Sequence, residues 1–521
     1  MAPARLAAPP AVPVDAPPRL AIALAAALAT GGLYYAAFPP LDLGALGCVA
    51  LVPLLLVAGR YRRRTAFLLG WLAGTVAIYG LVAPSIFAAA TRYAADRPVV
   101  AWALALTIPQ VYGALYFGVF AVAVRLAAER GLRPTAVLFV LPAAWVGGEM
   151  VRASLGDGCP WVLLGHSQHA RLWLPQVADL SGVAGVSFIV ALVNVALALS
   201  LRPATSARQR LRIAAATAAV LAGVSGYGAV QARRWARPPG EPLRVALVQA
   251  DVPEAWRYEL RRVPDSLRRL SELSRQATAG GAQLIVWPEN AVSVLIDDQG
   301  QVVRSAAALL APGASLLFGA PRAVPRAGAV EMRNAAFVVT ADGRIAGVYD
   351  KLRLTPFGET YPLGLAAWFP PPAGGYSPGT AWSTLTAAGQ RFAAIICYEA
   401  IYAGLVRRLV DAGAEFLVNL SNDGWFGDQP SLQQHFHAVQ FRAIENRRFL
   451  LRATNAGITA IVDPRGVVIA EAPRHEAVVL AGSIVPIQAR TLYTRVGDLF
   501  GWGCLLVAVA ALLRPRLRSG G

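Results

Sequence analysis

Three reactive side chains stand at the ends of apolar runs. Glu289 closes Leu284-Ile-Val-Trp-Pro-Glu289, Lys351 follows Ile345-Ala-Gly-Val-Tyr-Asp350, and Cys397 closes Ile395-Ile-Cys397. Such runs predict β-strands, and a strand end is rigid yet open at one edge of its sheet, which suits catalysis. A thiol attacks an acyl carbon as thiolate, and free cysteine is mostly protonated at neutral pH, so it needs a base and a cation beside it. Glu289 could take the thiol proton and return it. Lys351 could stabilise both the thiolate and the oxyanion of a tetrahedral intermediate. The backbone N–H of Tyr398 is a candidate second oxyanion donor. Taken singly, each residue has a plainer reading: a core thiol, a helix-cap or loop carboxylate, a solvated turn lysine.

Composition sharpens one of the three. Of the 48 Lys plus Arg residues, one is lysine, Lys351. An arginine-biased composition accounts for the others but not for the exception, and arginine does not replace lysine where a compact, tunable ammonium is required. Only 15% of the 521 residues are charged, against about a quarter in soluble domains, and the mean hydropathy is +0.49. The net charge of +18 sits mostly at the ends of apolar runs, which points to a membrane and away from nucleic acid. Cys48, Cys159, Cys397 and Cys504 show no CxxC or Cys/His ligand spacing, so no metal site, cofactor or disulfide framework is expected. A Cys159–Cys397 bridge would block the candidate nucleophile. His435 and His437, two apart, do not share a helical face and read as structural; His166 and His169 could share one, but no ligand set accompanies them.

The elements that must position these groups fall into two textures. After an Ala/Pro-rich stretch, 1–18, predicted to be disordered, apolar runs near 19–38, 42–59, 65–90, 98–124, 134–151, 184–201 and 213–231 each approach the ~20 residues that span a bilayer, and a last one covers 497–513. Arginines cluster in the loops after the second, fourth and sixth runs and in the C-terminal tail, which places those segments in the cytoplasm. A polar segment that follows seven spans then lies outside. The expected organisation is a seven-helix membrane domain over 19–238, an extracytoplasmic catalytic domain over 239–490, and a closing helix and tail over 491–521. Within the catalytic stretch, strand-like runs at 244–249, 283–287, 315–319, 335–340, 345–349, 392–397, 416–420 and 458–462 alternate with helical patterning at 259–279, 302–311, 402–412 and 432–446. This predicts sheets covered by helices, and Asp342-Gly343 reads as a hairpin turn. Glu149 and Arg152 stand at the outer end of the fifth run, where charges are functional suspects: lipid-headgroup contacts, or a helix-end ion pair.

Trp287-Pro-Glu289, Asp350-Lys351 followed by Pro356-Phe-Gly-Glu359, and Cys397-Tyr-Glu399 together resemble the Glu-Lys-Cys pattern of the nitrilase superfamily. With the flanking apolar runs, residues 19–513 resemble the apolipoprotein N-acyltransferases. Pro160-Trp161 with Gly165 and Gln168, Ser421-Asn-Asp-Gly-Trp-Phe426, and Arg452-Ala-Thr-Asn-Ala-Gly-Ile-Thr459 add further matches. The resemblance implies a four-layer α-β-β-α fold, Cys397 as nucleophile, Glu289 as general acid/base and Lys351 as oxyanion stabiliser, with Glu359, Tyr398 and Glu399 in support. It also implies a substrate-facing tryptophan after Gln249-Ala-Asp-Val-Pro253; here Tyr258 takes that register, with Trp256 two residues earlier.

The activity so implied is transfer of a fatty acyl group from a membrane phospholipid, through a cysteine thioester, to the N-terminal amine of a diacylglyceryl apolipoprotein in a bacterial inner membrane. A monomer is expected, surrounded by membrane lipids. A membrane-tethered amidohydrolase would use the same three residues but gain little from eight helices. A transporter with an accessory domain would carry charges deep within several helices, and few are present.

Overall fold

The computed structural model describes residues 17–93, 98–253, 256, 259–296, 300–326, 329–356, 358–360, 375–425 and 427–513. Most of the N-terminal stretch expected to be disordered, and the arginine-bearing tail after 513, lie outside these.

The first half is helical: α1 (Leu20–Ala36), α2 (Val52–Val57), α3 (Arg63–Tyr93), α4 (Pro98–Pro109), α5 (Leu115–Glu129), α6 (Pro134–Ser154), α7 (Ala178–Leu201) and α8 (Ala207–Arg234). Among the described residues, four helices are long and apolar enough to cross a membrane, and Leu20–Ala36, Gly44–Arg60 and Leu499–Leu513 are shorter apolar ones. Small residues let these helices approach closely. A Cβ on Gly70 of α3 would lie 2.4 Å from the Phe117 carbonyl of α5, and one on Gly74 would lie 2.6 Å from Ala114 Cα. The second expected span departs from prediction: it consists of 3-10 turns at Gly44–Cys48 and Ala58–Arg60 around the six-residue α2. Asn194 of α7 reaches into the break, accepting from Leu51 N at 2.8 Å and donating to Gly47 O at 2.8 Å. A buried amide thus satisfies backbone groups that a continuous helix would have paired internally.

The second half folds into two six-stranded sheets among the described residues. One contains β1 (Leu243–Gln249), β2 (Leu284–Val286), β3 (Ser315–Arg326), β4 (Ala329–Thr340) and β5 (Ile345–Asp350); the other contains β6 (Leu385–Ala387), β7 (Gln390–Ile396), β8 (Phe416–Ser421), β9 (Leu450–Thr454), β10 (Ala460–Val462) and β11 (Val468–Glu471). β12 (Val478–Ile484) returns to the first sheet, antiparallel to β1, giving the order β12-β1-β2-β3-β4-β5 beside β11-β10-β9-β8-β7-β6. In each sheet three strands run parallel, β1-β2-β3 and β7-β8-β9, and the flanking pairs are antiparallel. Leu247, Val286 and Leu317 of the first sheet share one buried cluster with Ala393, Ile395 and Val418 of the second. The helices are α9 (Val263–Ala279), α10 (Gln301–Ala307), α11 (Ala403–Asp411), α12 (Ser431–Asn446), α13 (Leu492–Val496) and α14 (Leu499–Leu513). The β4–β5 hairpin turns at Asp342-Gly343 as expected, with Gly343 at φ +80°.

The two halves dock through buried polar contacts. Arg447, in a left-handed conformation (φ 51°) after α12, pairs with Asp179 of α7 at 2.7 Å and donates to Gln176 O at 3.0 Å. Trp161, in the loop after α6, stacks on Tyr398 and His435 at centroid distances of 6.4 and 5.6 Å and donates to Gln434 at 2.8 Å.

Candidate active site

The candidate residues follow the C-terminal ends of β2 and β5 in one sheet and of β7 in the other, the kind of strand end at which parallel sheets open toward ligands. Glu289 lies three residues beyond β2. Its loop crosses β3 at Gly319, where a Cβ would meet Asn290 N at 2.5 Å and Glu289 Cα at 2.7 Å. Lys351 directly follows β5, anchored by its N–H on Asn334 O at 2.8 Å. Cys397 directly follows β7 with φ 52°, a conformation that costs a non-glycine residue energy and persists where surroundings impose it.

The Lys351 Nζ, 1% exposed, lies 3.1 Å from Glu289 Oε1, 2.8 Å from Glu359 Oε2 and 3.3 Å from Thr355 Oγ1. Asn334 Nδ2 bridges the carboxylates, at 2.7 Å to Glu289 Oε1 and 2.6 Å to Glu359 Oε1. Asn422 N donates to Glu289 Oε2 at 2.9 Å, and Thr355 N to Glu359 Oε2 at 2.7 Å. Burial opposes charge on Lys351, but the facing Glu289 and Glu359 outweigh it and hold the ammonium well above its ordinary value. Burial likewise works against Glu359, yet Lys351 keeps that carboxyl below the usual range. Cys397 is 2% exposed. Burial, reinforced by Glu289, pushes its thiol up, with Lys351 pulling the other way. Burial at this position thus favours the neutral thiol.

The supporting residues tie these strand ends together. Glu399 Oε1 accepts from Leu352 N at 2.6 Å, Tyr349 Oη at 3.0 Å and Arg353 N at 3.1 Å, while Oε2 accepts from Ile396 N at 2.8 Å. One carboxylate thus joins the Lys351 loop to the Cys397 turn, and burial raises it to about 7 against those donors. Tyr398 faces Trp161 from the membrane half. Behind the turn, Asn419 Nδ2 donates to Ile395 O at 3.0 Å and Cys397 O at 3.5 Å. Arg452 bonds Asn419 Oδ1 and pairs with Asp423 at 2.5 Å. His435 Nδ1 lies 3.4 Å from Asp423.

The outlying candidates separate. Trp256 lines a small cleft with Glu289, Asn290 and Asn455, and the Arg262 and Arg269 guanidinium carbons lie 5.0 and 5.8 Å from its ring centroid. Tyr258 lies outside the described residues. Glu149 and Arg152 serve neighbouring loops rather than forming an ion pair. Glu149 Oε1 accepts from Leu164 N at 2.7 Å and Trp145 Nε1 at 3.0 Å, and Arg152 donates to Trp161 O at 2.9 Å. Both also border an apolar cavity of about 390 Å³ between α5, α6 and α14, lined by Phe117, Trp145, Leu505 and Leu512. All four cysteines are free, so the Cys159–Cys397 bridge is absent. Asn334 was not foreseen; its sign in the sequence was a lone amide entering an apolar strand. Asn422 lay within a quoted match but carried no expected role.

A buried thiol, carboxylate and ammonium on two sheets joined to apolar helices fit a membrane-bound enzyme of thiol acyl chemistry, a class that takes in amidohydrolases as well as acyltransferases. Residues 244–491 match the carbon-nitrogen hydrolase family and residues 30–196 the apolipoprotein N-acyltransferase N-terminal domain. Curated relatives named apolipoprotein N-acyltransferase include those of Geobacter metallireducens (33% identical, covering 95% of each chain), Azotobacter vinelandii (32%, 95% of each) and Pseudomonas syringae pv. tomato (30%, 93% of this chain and 97% of the relative). The chain belongs to the apolipoprotein N-acyltransferase family.

Proposed function

We propose that the enzyme moves a fatty acyl group from a phospholipid to the α-amine of a diacylglyceryl-cysteine lipoprotein by a ping-pong route through a Cys397 thioester. As the sulfur attacks the ester carbonyl, Glu289 takes its proton and the lysophospholipid leaves with it; the incoming amine then attacks the thioester, Glu289 accepts the amine's proton, and it returns that proton to the Cys397 sulfur as the C–S bond breaks. The supporting observation is the Lys351 ammonium held between two carboxylates. Protonating Glu289 removes one negative charge as the oxyanion creates another, so the net charge around Lys351 is constant through the step. A preorganised cation then stabilises the oxyanion with little reorganisation, and burial keeps water from the thioester.

Around this centre we read eight membrane passages, with the broken Gly44–Arg60 segment as the second, in a bacterial inner membrane. The catalytic half, residues 239–490, is a four-layer α-β-β-α sandwich on the periplasmic side, and the enzyme acts as a monomer without a cofactor in this reaction. The apolar cavity beside Glu149 and Arg152 suits an acyl chain, and Trp256 suits the substrate entrance.

Intact-mass analysis of the purified enzyme with phospholipid tests the reading. It should gain one acyl mass on Cys397, lose it on adding acceptor lipopeptide, and gain nothing as Cys397→Ala. An adduct from small amides but none from phospholipid would favour an amidohydrolase.

A further inference from the structure

A second cluster of chemically capable groups lies where the two halves meet. Asp42 is in the loop after α1, His169 follows the 3-10 turn Leu164–Gln168, and His437 is in the second turn of α12. One ligand atom from each lies within 4.8 Å of the others. We propose that Asp42, His169 and His437 form a binding site for a divalent transition metal of the zinc class, clamping the outer loops of the membrane half to α12.

The spacing admits coordination as well as hydrogen bonding: His169 Nε2 lies 3.3 Å from Asp42 Oδ1 and 3.2 Å from Oδ2. His437 Nδ1 is 3.9 Å from Asp42 Oδ1. A charge-assisted N–H···O bond closes to ~2.7–2.9 Å. Donors ~2.0–2.1 Å from a tetrahedral zinc lie ~3.3 Å apart, within the range of these separations. His437 is 7% exposed, and its Nδ1, the atom turned toward Asp42, is buried without a hydrogen-bond partner. Leaving such an atom unsatisfied is costly, and a metal would satisfy it. The two imidazole rings stack at 3.3 Å, 15° from parallel. Face-to-face rings hold their in-plane lone pairs parallel, so one imidazole must rotate out of the stack for both to ligate a single ion. Two imidazoles and one carboxylate select zinc, cobalt, nickel or copper over calcium or magnesium, and the exposed Asp42 side leaves room for water as a fourth ligand. α12 also carries His435, stacked on Trp161 beneath the catalytic turn, so occupancy would stiffen the support of the site without supplying its chemistry.

The test uses the full chain in detergent, without a polyhistidine tag and stripped by chelator. Cobalt(II) is titrated while visible d–d absorption and the thermal midpoint are followed. Saturation near one equivalent is expected, with intense low-coordinate bands and a midpoint raised by roughly 5–10 °C at a hundredfold excess over Kd. Asp42→Asn and His169→Phe should abolish both effects while leaving the metal-free midpoint near that of the parent. His437→Phe should do the same if it folds. The absence of saturable absorption, or the same bands persisting in His169→Phe, would overturn the assignment.

Discussion

Replacing Glu399 with glutamine tests how the nucleophile turn is held. The carboxylate accepts four donors, three on Oε1 and one on Oε2. Glutamine offers one acceptor atom and one NH2. Its best orientation keeps the carbonyl on Tyr349, Leu352 and Arg353 and turns the NH2 toward Ile396 N–H, leaving that buried donor unpaired. One such loss costs about 1–3 kcal/mol, equivalent to roughly 2–12 °C in the midpoint of a domain this size. Because Ile396 adjoins Cys397, the turn relaxes as well, and a displacement of about 1 Å at a reacting atom costs on the order of 100-fold in rate. Thermal unfolding in detergent and single-turnover acylation of Cys397 should be measured together at pH 8, above the Glu399 value of about 7. A variant with the parental midpoint and acylation rate would refute the bridging role.

Lys351→Arg should slow acylation by roughly 10²–10³-fold, since a fixed guanidinium fork cannot occupy the compact space between Glu289, Glu359 and Thr355; acylation at the parental rate would contradict this. For Glu359→Gln the stability deficit should depend on pH. Glu359 is held below its ordinary value, so its contribution is complete above ~4.3 and lost as pH falls through the lower folded value; denaturant titrations should show the deficit at pH 7 and its closure in acid. Arg447→Met leaves Asp179 charged and buried and should cost about 3–5 kcal/mol; adding Asp179→Leu should restore much of it, as read from thermal midpoints.

The three candidate side chains stood out because each follows a short apolar strand, and strand ends are where reactive groups can be both fixed and reachable. Most strands and the four helices within the catalytic half fall near their expected positions for the same reason: alternation and amphipathic spacing are local signals. β12 was not anticipated. Its pairing with β1 joins residues such as Val245 and Gly482, far apart in the chain, and no local pattern announces that. Asn334 stayed hidden because its partners arrive from loops after β2 and β5. The second span read as one helix because hydropathy registers apolar length but not Asn194 inserting from another element.

The stacking of Trp161 on Tyr398 and His435 has a practical corollary for handling this enzyme. Expressing residues 239–490 alone would bare Tyr398, His435 and the Arg447 guanidinium to water, stripping the sheet-bearing half of partners that only the helices provide. A truncated fragment should therefore aggregate or lose its active geometry, however well its own sheets assemble, and soluble shortened versions are a poor starting point for inhibitor screening.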